Sequence, residues 1–488
     1  MKFKYIKSTA LVVVVSTVLF ACQKKTVDDV TPIDQIPAET AIKEMADVTR
    51  AVNGVYGTLS PRRSVYINAT ISDEIRLGTG TEYRNVGNIL FNWNHVSDSQ
   101  DWRDGETGGV WTNLYTVIDR ANRVLELMEP VPTPTAADVA LKAQYKGEML
   151  AMRAYAHLEL LKLYSETAVY TADKLGIVVQ TEYVKAPGSY KPVRTNQSAA
   201  VAQINTDLID AKPLIPASFT NISRLTKNAV SALQAKLALH IRDWPNVITY
   251  STEVINAQPV STIATFPAIF QTRILAQNQS SEVVFKYNVV SGANLGSALG
   301  SLWQDVGAGA AVQATPAEKL QNTFDKVNDV RYATYFYQAS PTSRVLIAKH
   351  GVNTGTNGEN FSFDLKVIRT SELLLARAEA YAESTQPALA NADLKKLRES
   401  RITGYTHTDV PAAGLVEAIY LERYKELCYE GHRYYDLRRR SLPIERTLAD
   451  AGGLPASQTL QPTNTKYLLP IPQQERFANP TIQQNAGY

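Results

Sequence analysis

Residues 422–439 read ERYKELCYEGHRYYDLRR, placing three glutamates, an aspartate, four arginines, Cys428 and His432 in one short stretch. Types like these serve nucleophilic or acid–base chemistry when something activates them. A thiol reacts as its thiolate and needs an adjacent base, and Cys428, lying inside a helical pattern, has no identifiable one. Val416, Tyr420, Tyr424, Leu427 and Cys428 fall on one helical face, with Glu422 paired to Lys425 and Glu426 on another. Gly431 breaks the pattern, and HRYYDLRRR begins a new aromatic segment. The charges therefore suit salt bridges to neighbouring helices, and the stretch reads as a scaffold helix, its break and a docking segment.

Other catalytic signatures are weak. There is no Walker phosphate loop and no Gly-x-Ser-x-Gly elbow, and GAGAAV at 307 lacks the third glycine of a dinucleotide fingerprint. Six histidines, at 95, 157, 240, 350, 407 and 432, show no metal-ligand spacing. The pairs Asp73 with Glu74 and Asp101 with Asp104 could serve glycoside hydrolysis if correctly separated in space. The aromatic residues of the loops are more suggestive. Trp93 and Trp102 sit among Asn94, Asp101, Arg103 and Asp104, outside any helical stripe, and Trp303 stands in a Gly- and Ala-rich segment. An indole face can stack on the C–H face of a sugar or on a peptide side chain while Asn, Asp and Arg bond hydroxyls or amides. Large aromatics also pin loops onto a core, and Trp111, on a helical stripe with Tyr115, reads as core.

The elements that position these residues are mostly helical. Apolar stripes predict helices from Gly109 to Met128, from about 137 to 165, from about 198 to 214, and a hairpin of 227–241 and 246–256 turning at Asp243 to Pro245. Alanines at 229, 232, 235 and 238 would admit a neighbouring helix closely, and Ala376, Ala378 and Ala380 mark a second hairpin within 370–401. Short strands are expected at 282–289, 344–349 and 176–184. Residues 60–108 and 291–318 lack strong periodicity and read as loop-rich inserts, which in ordered proteins are usually functional.

The bulk numbers describe a globular chain with a large core: 488 residues, 44% hydrophobic and 20% charged. Its formal charge is +3, and setting aside Lys2, Lys4 and Lys7 leaves 47 basic against 47 acidic residues, a balance that argues against a nucleic-acid partner. The N-terminus has a lysine-rich start and an apolar run from Ala10 to Ala21 too short to span a bilayer, which is the layout of an export signal. Its end, Leu19-Phe20-Ala21-Cys22, looks like the lipobox of a bacterial lipoprotein, with Phe20 bulkier than usual there. With Cys22 lipidated, Cys428 has no partner for an intrachain disulfide. Residues 23–40, polar with two prolines, read as a flexible tether, and the body starts near Ala41.

Taken with GVWTNLYTVIDRANRVLE, EMLAMRAYAHLELLKLYSE, NDVRYATYF, VIRTSELLLARAEAYAES, LERYKELCYEGHRYYDLRR and the terminal LLPIPQQERFANPTIQQNAGY, the lipobox makes nearly the whole chain resemble the SusD/RagB family. The resemblance implies a single, mainly α-helical domain with four tetratricopeptide-like hairpins, loop-rich inserts and short β pieces, divided into an N-terminal part at 41–260 and a C-terminal part at 261–488. It implies a non-catalytic surface lipoprotein that captures an oligosaccharide, or in some members a peptide, and sits as a lid on a SusC-like TonB-dependent porin of the outer membrane; no cofactor and no metal ligands are read from the residues, and a calcium ion at the ligand is left open. Loops resembling 70–104 and 291–310 form the ligand surface in such proteins, so Asp73, Arg76, Trp93, Asn94, Trp102 and Trp303 are the expected ligand-binding residues, with no catalytic residue carried over. A glycoside hydrolase using loop carboxylates and a protein-binding adaptor stand as alternatives.

Overall fold

The computed structural model describes residues 41–77, 87–97, 106–185, 188–272, 282–289, 300–303, 312, 314–351 and 363–488. The expected signal peptide, Cys22 and the tether lie outside the described residues. The body opens with helices α1 (Met45–Thr58) and α2 (Arg62–Ile71), strand β1 (Ile75–Leu77) and helix α3 (Glu106–Leu127). Then come α4 (Ala136–Tyr164), α5 (Gln197–Leu214), α6 (Lys227–Ile241) and α7 (Trp244–Ala257). Strands β2 (Val283–Tyr287), β3 (Ala314–Pro316), β4 (Phe336–Tyr337), β5 (Leu346–Ile347) and β6 (Leu365–Arg369) precede α8 (Thr370–Glu383), α9 (Pro387–Glu399), α10 (Ala412–Leu427) and α11 (Arg433–Arg439). Strands β7 (Ile444–Glu445) and β8 (Thr459–Leu460) follow, and the fold is mainly α with short β pieces, as expected.

The long helices pack on one another in chain order, α3 on α4, α4 on α5, α5 on α6, α6 on α7, α7 on α8 and α8 on α9. This is the layering of helical-hairpin repeats. Local chemistry sets the ends. Thr135 caps α4, its hydroxyl accepting from Asp138 N at 3.1 Å while Asp138 returns a bond to Thr135 N at 3.2 Å. Between α6 and α7 the chain turns through Arg242 in the left-handed region (φ 61°) and Asp243, whose side chain caps α7. From Gly147 to Tyr164 every residue of α4 is buried. Gly147 permits the approach of α5, because a Cβ there would lie 2.8 Å from the Ala211 carbonyl oxygen. Alanines 229, 232, 235 and 238 are buried in α6, as their spacing foretold.

The largest core joins α1 to α6 with Val284, Phe285 and Ile368 of the sheet and with Tyr467, Leu469, Ile471 and Ile482, so residues on both sides of position 260 share one interior. A second, aromatic core gathers Tyr66, Phe91, Trp303, Phe324, Tyr335, Phe336 and Tyr429 around α2 and β1. Among the described residues four antiparallel two-stranded ladders form: β1 with β3, β2 with β6, β4 with β5 and β7 with β8.

Two local expectations differ from the structure. Residues 60–71 are not loop but largely helix α2, whose residues Tyr66 to Ile71 are all buried. A helix covered on every side shows no amphipathic stripe, so periodicity cannot reveal it. No strand forms at 176–184. Gly176 and Ile177 bond the backbone of Thr195 (2.7 and 2.8 Å), and beyond them side chains satisfy the carbonyls: Asn122 Nδ2 donates to those of Gln180 (3.2 Å) and Glu182 (3.0 Å), and Arg153 Nη1 donates to that of Thr181 (2.8 Å).

Candidate functional site

The charged stretch 422–439 is the interior of the molecule. Three guanidinium groups converge on the Glu426 carboxylate, Arg369 at 2.8 Å, Arg401 at 3.0 Å and Arg331 at 3.2 Å. Glu282 joins Arg369 (2.5 Å) and Arg401 (2.8 Å), and Glu430 joins Arg369 (2.6 Å) and Lys349 (2.5 Å). Burial pushes the Glu426 carboxyl up, but the three arginines outweigh it and hold it well below the usual range. The expected Glu422–Lys425 pairing is replaced by longer-range ones: Glu422 takes Arg331 and Arg398 at 2.7 Å each, and Lys425 takes Asp329 at 3.1 Å. Buried side chains gain more from a rigid planar partner on another helix than from a flexible neighbour on their own. Cys428 is buried, and burial pushes its thiol up to about 12, which leaves no thiolate nucleophile.

The candidate ligand residues cluster around the C-terminal end of α2. Asp73 is buried and accepts a two-pronged bond from Arg433 (2.7 and 2.8 Å) and a third from Lys319 (3.0 Å). Burial opposes its ionisation, but Arg433 and Lys319 hold its pKa to about 2. Glu74 beside it is fully buried, one oxygen accepting the Tyr429 amide at 3.0 Å and the other without a partner among the described residues. Burial raises its pKa to about 8. Both carboxyls are buried, so this pair does not flank an accessible glycosidic bond; Asp101 and Asp104 lie outside the described residues.

Trp93 adopts φ 57° and is 5% exposed, its Nε1 donating to the Ile71 carbonyl at 3.0 Å. Trp303 is fully buried between Tyr66 (5.8 Å between ring centres) and Tyr429 (6.1 Å). Both indoles thus pin their segments to the core from within. Asn94 and Arg76, in contrast, reach the surface. Asn94 is exposed, its backbone amide tied to the Ile89 carbonyl at 2.8 Å, and the Arg76 side chain is 39% exposed, paired to Glu318 at 2.8 Å. Trp102 lies outside the described residues.

Sequence reasoning missed the residue that holds this region together. Arg446, buried, donates to the carbonyls of Thr70 (3.1 Å), Ile71 (3.0 Å), Ser72 (2.8 Å) and Phe91 (2.6 Å). Its guanidinium also stacks on the rings of Phe91 (3.8 Å) and Trp93 (4.5 Å). It therefore joins the end of α2, from which Asp73 to Arg76 lead, to the turn that carries Asn94. Burial draws its pKa down to about 9, with Asp73 and Asp450 opposing the fall. Nothing near it in sequence could have flagged this role, since the four carbonyls it joins, at 70–72 and 91, lie more than 300 residues away.

Among the described residues no cluster of His, Cys, Asp and Glu could hold a metal ion, and no helix is long and apolar enough to cross a membrane.

Comparison with known proteins places this architecture. A SusD family model matches residues 278–488, and a model described as starch-binding associating with outer membrane matches 29–239. SusD-like protein P25 of Formosa agariphila is 22% identical, with 96% of this chain and 97% of that protein covered. SusD-like protein P2 of the same organism is 24% identical, with 94% and 95% covered. A crystal structure of a SusD superfamily protein from Bacteroides thetaiotaomicron superposes with TM-score 0.77 at 22% identity, covering 91% of this chain and 99% of its own. A laminarin binding SusD-like protein superposes with TM-score 0.69 at 20% identity, covering 92% and 100%. With both halves matched in order and the helical architecture shared, the chain belongs to the SusD/RagB family.

Proposed function

We propose that the protein is a cell-surface binding lipoprotein that captures an oligosaccharide and passes it to a SusC-like TonB-dependent transporter of the outer membrane, without turning it over. The family is one of carbohydrate-binding proteins, its N-terminal model is named for starch binding at the outer membrane, and one solved relative is named for binding laminarin. The observation that carries the reading is the surface at the end of α2. There Asn94 and Arg76 present an amide and a guanidinium to solvent on segments fixed from beneath by Trp93 and Arg446. Pre-fixed polar groups of this kind suit sugar hydroxyls, because little conformational entropy is lost on binding. In this reading Asn94 and Arg76 touch the ligand, Trp102 stacks on it, and Asp73, Trp93 and Trp303 hold the surface in place. Lipid on Cys22 keeps the body at the outer membrane, and the tether 23–40 lets it reach the transporter. Titration calorimetry against glucan and peptide panels tests the reading: saturable binding of an intact glucan supports it, and binding of peptides alone overturns the choice of ligand.

A further inference from the structure

A second polar site lies away from this surface, in a cavity of about 30 Å³ where the turn after α10 meets β6 and the start of α2. Lys162, Lys236, Lys366, His350, His432 and Glu430 line it, and half-buried Ser64, Val65, Val367 and Gly431 stand beside them. Most of its charges are spoken for. Lys162 holds Glu159 at 2.7 Å, Lys236 holds Glu372, and Glu430 is shared by Arg369 and Lys349. The exception is Lys366, which is 3% exposed and whose ammonium has no hydrogen-bond partner among the described residues.

The sheet explains why. Lys366 stands directly opposite Lys286 across the β2–β6 ladder; Asp364 lies against Lys286 at 2.6 Å, and Glu430 on the cavity wall is engaged by Arg369 and Lys349. Like charges directly opposed across a ladder are destabilising, and a buried ammonium whose nearby carboxylates are hydrogen-bonded to other cations is more so. The face of Phe270 at 5.4 Å offsets only part of this. His350 also lines the cavity: its Nε2 donates to the Tyr429 carbonyl at 2.9 Å, which leaves Nδ1 an acceptor, without a partner among the described residues, that a water and not the anion would serve.

We propose that this cavity is a binding site for a small monovalent inorganic anion the size of chloride, held by the Lys366 ammonium with Lys162 and Lys236 on the surrounding wall. The volume suits one such ion or a water or two and excludes phosphate with its hydration. Burial draws Lys366 down to about 7, with Asp364 and Glu430 opposing the fall and Lys286 and Arg369 adding to it, so an anion beside it would favour the charged ammonium. The bound ion would tie β6 to the Gly431 turn and so brace the scaffold, a role separate from glycan capture.

Crystals of the protein grown in sodium bromide test this by anomalous scattering. The expected result is a bromide peak in contact with Lys366 Nζ, together with a melting temperature that rises saturably in chloride or bromide over gluconate at equal ionic strength. Lys366→Met should abolish that halide-dependent rise. Should the variant fail to fold, the bromide map of the unsubstituted protein decides alone. Featureless anomalous density at Lys366, with only water beside it, overturns the proposal.

Discussion

At the scale of single residues, the reactive-looking stretch around Cys428 owes its composition to burial. Arg423, Arg433 and Arg439 each hold a carboxylate because neither group can be hydrated there, and removing one partner strands the other. Glu426→Gln removes the charge that Arg331, Arg369 and Arg401 share, and should cost roughly 3–5 kcal/mol in denaturant unfolding. Glu74 gives a pH signature of the opposite kind. Its pKa stands at about 8 in the folded protein against an ordinary 4.5, so the folded state keeps a proton that the unfolded state releases. Stability from this group is therefore undiminished below pH 4.5 and falls as pH rises toward 8, by about 1.4 kcal/mol per pH unit. Relative to the wild type, Glu74→Gln should gain melting temperature across that window and show no gain below it. The face pattern of 415–428 was legible in the sequence, but the partners at 282, 331, 369 and 401 were not, because pairing between distant segments leaves no local trace.

At the scale of elements, helices α3 to α9 were legible because each has an apolar stripe or an alanine row with a capping or breaking residue at its end. Helix α2 was not, being buried all along its last turns. The same contrast governs the candidate surface. Arg76 and Asn94 could be flagged as polar residues in an insert, whereas the depth of Trp93 and Trp303 depends on a core assembled from distant segments. Arg446 sets the geometry of that insert. Arg446→Met should keep the helical content but free the carbonyls of Thr70, Ile71, Ser72 and Phe91, and amide exchange across 88–97 should accelerate at least tenfold. Ligand affinity should fall with it although no contacting group is removed.

At the scale of the whole molecule, a stack of helical hairpins supplies a rigid frame, and in the proposed reading the inserts near the end of α2, where Arg76 and Asn94 are exposed, supply the ligand surface. The division of labour follows from entropy: a frame fixed by buried ion pairs and close-packed alanines can hold short loops in a binding geometry before any ligand arrives. The sequence motifs identify that frame over nearly the whole chain, while the ligand is a property of surface residues that carry no motif. The most direct measurement is the affinity of the mature protein for a glucan of the laminarin or starch type, by calorimetry, beside Asn94→Ala and Arg76→Ala. The account predicts saturable binding of unhydrolysed glucan, weakened about tenfold or more by each substitution, a loss of about 1.4 kcal/mol. Glucan binding unchanged in both variants, or release of shortened products, would contradict it.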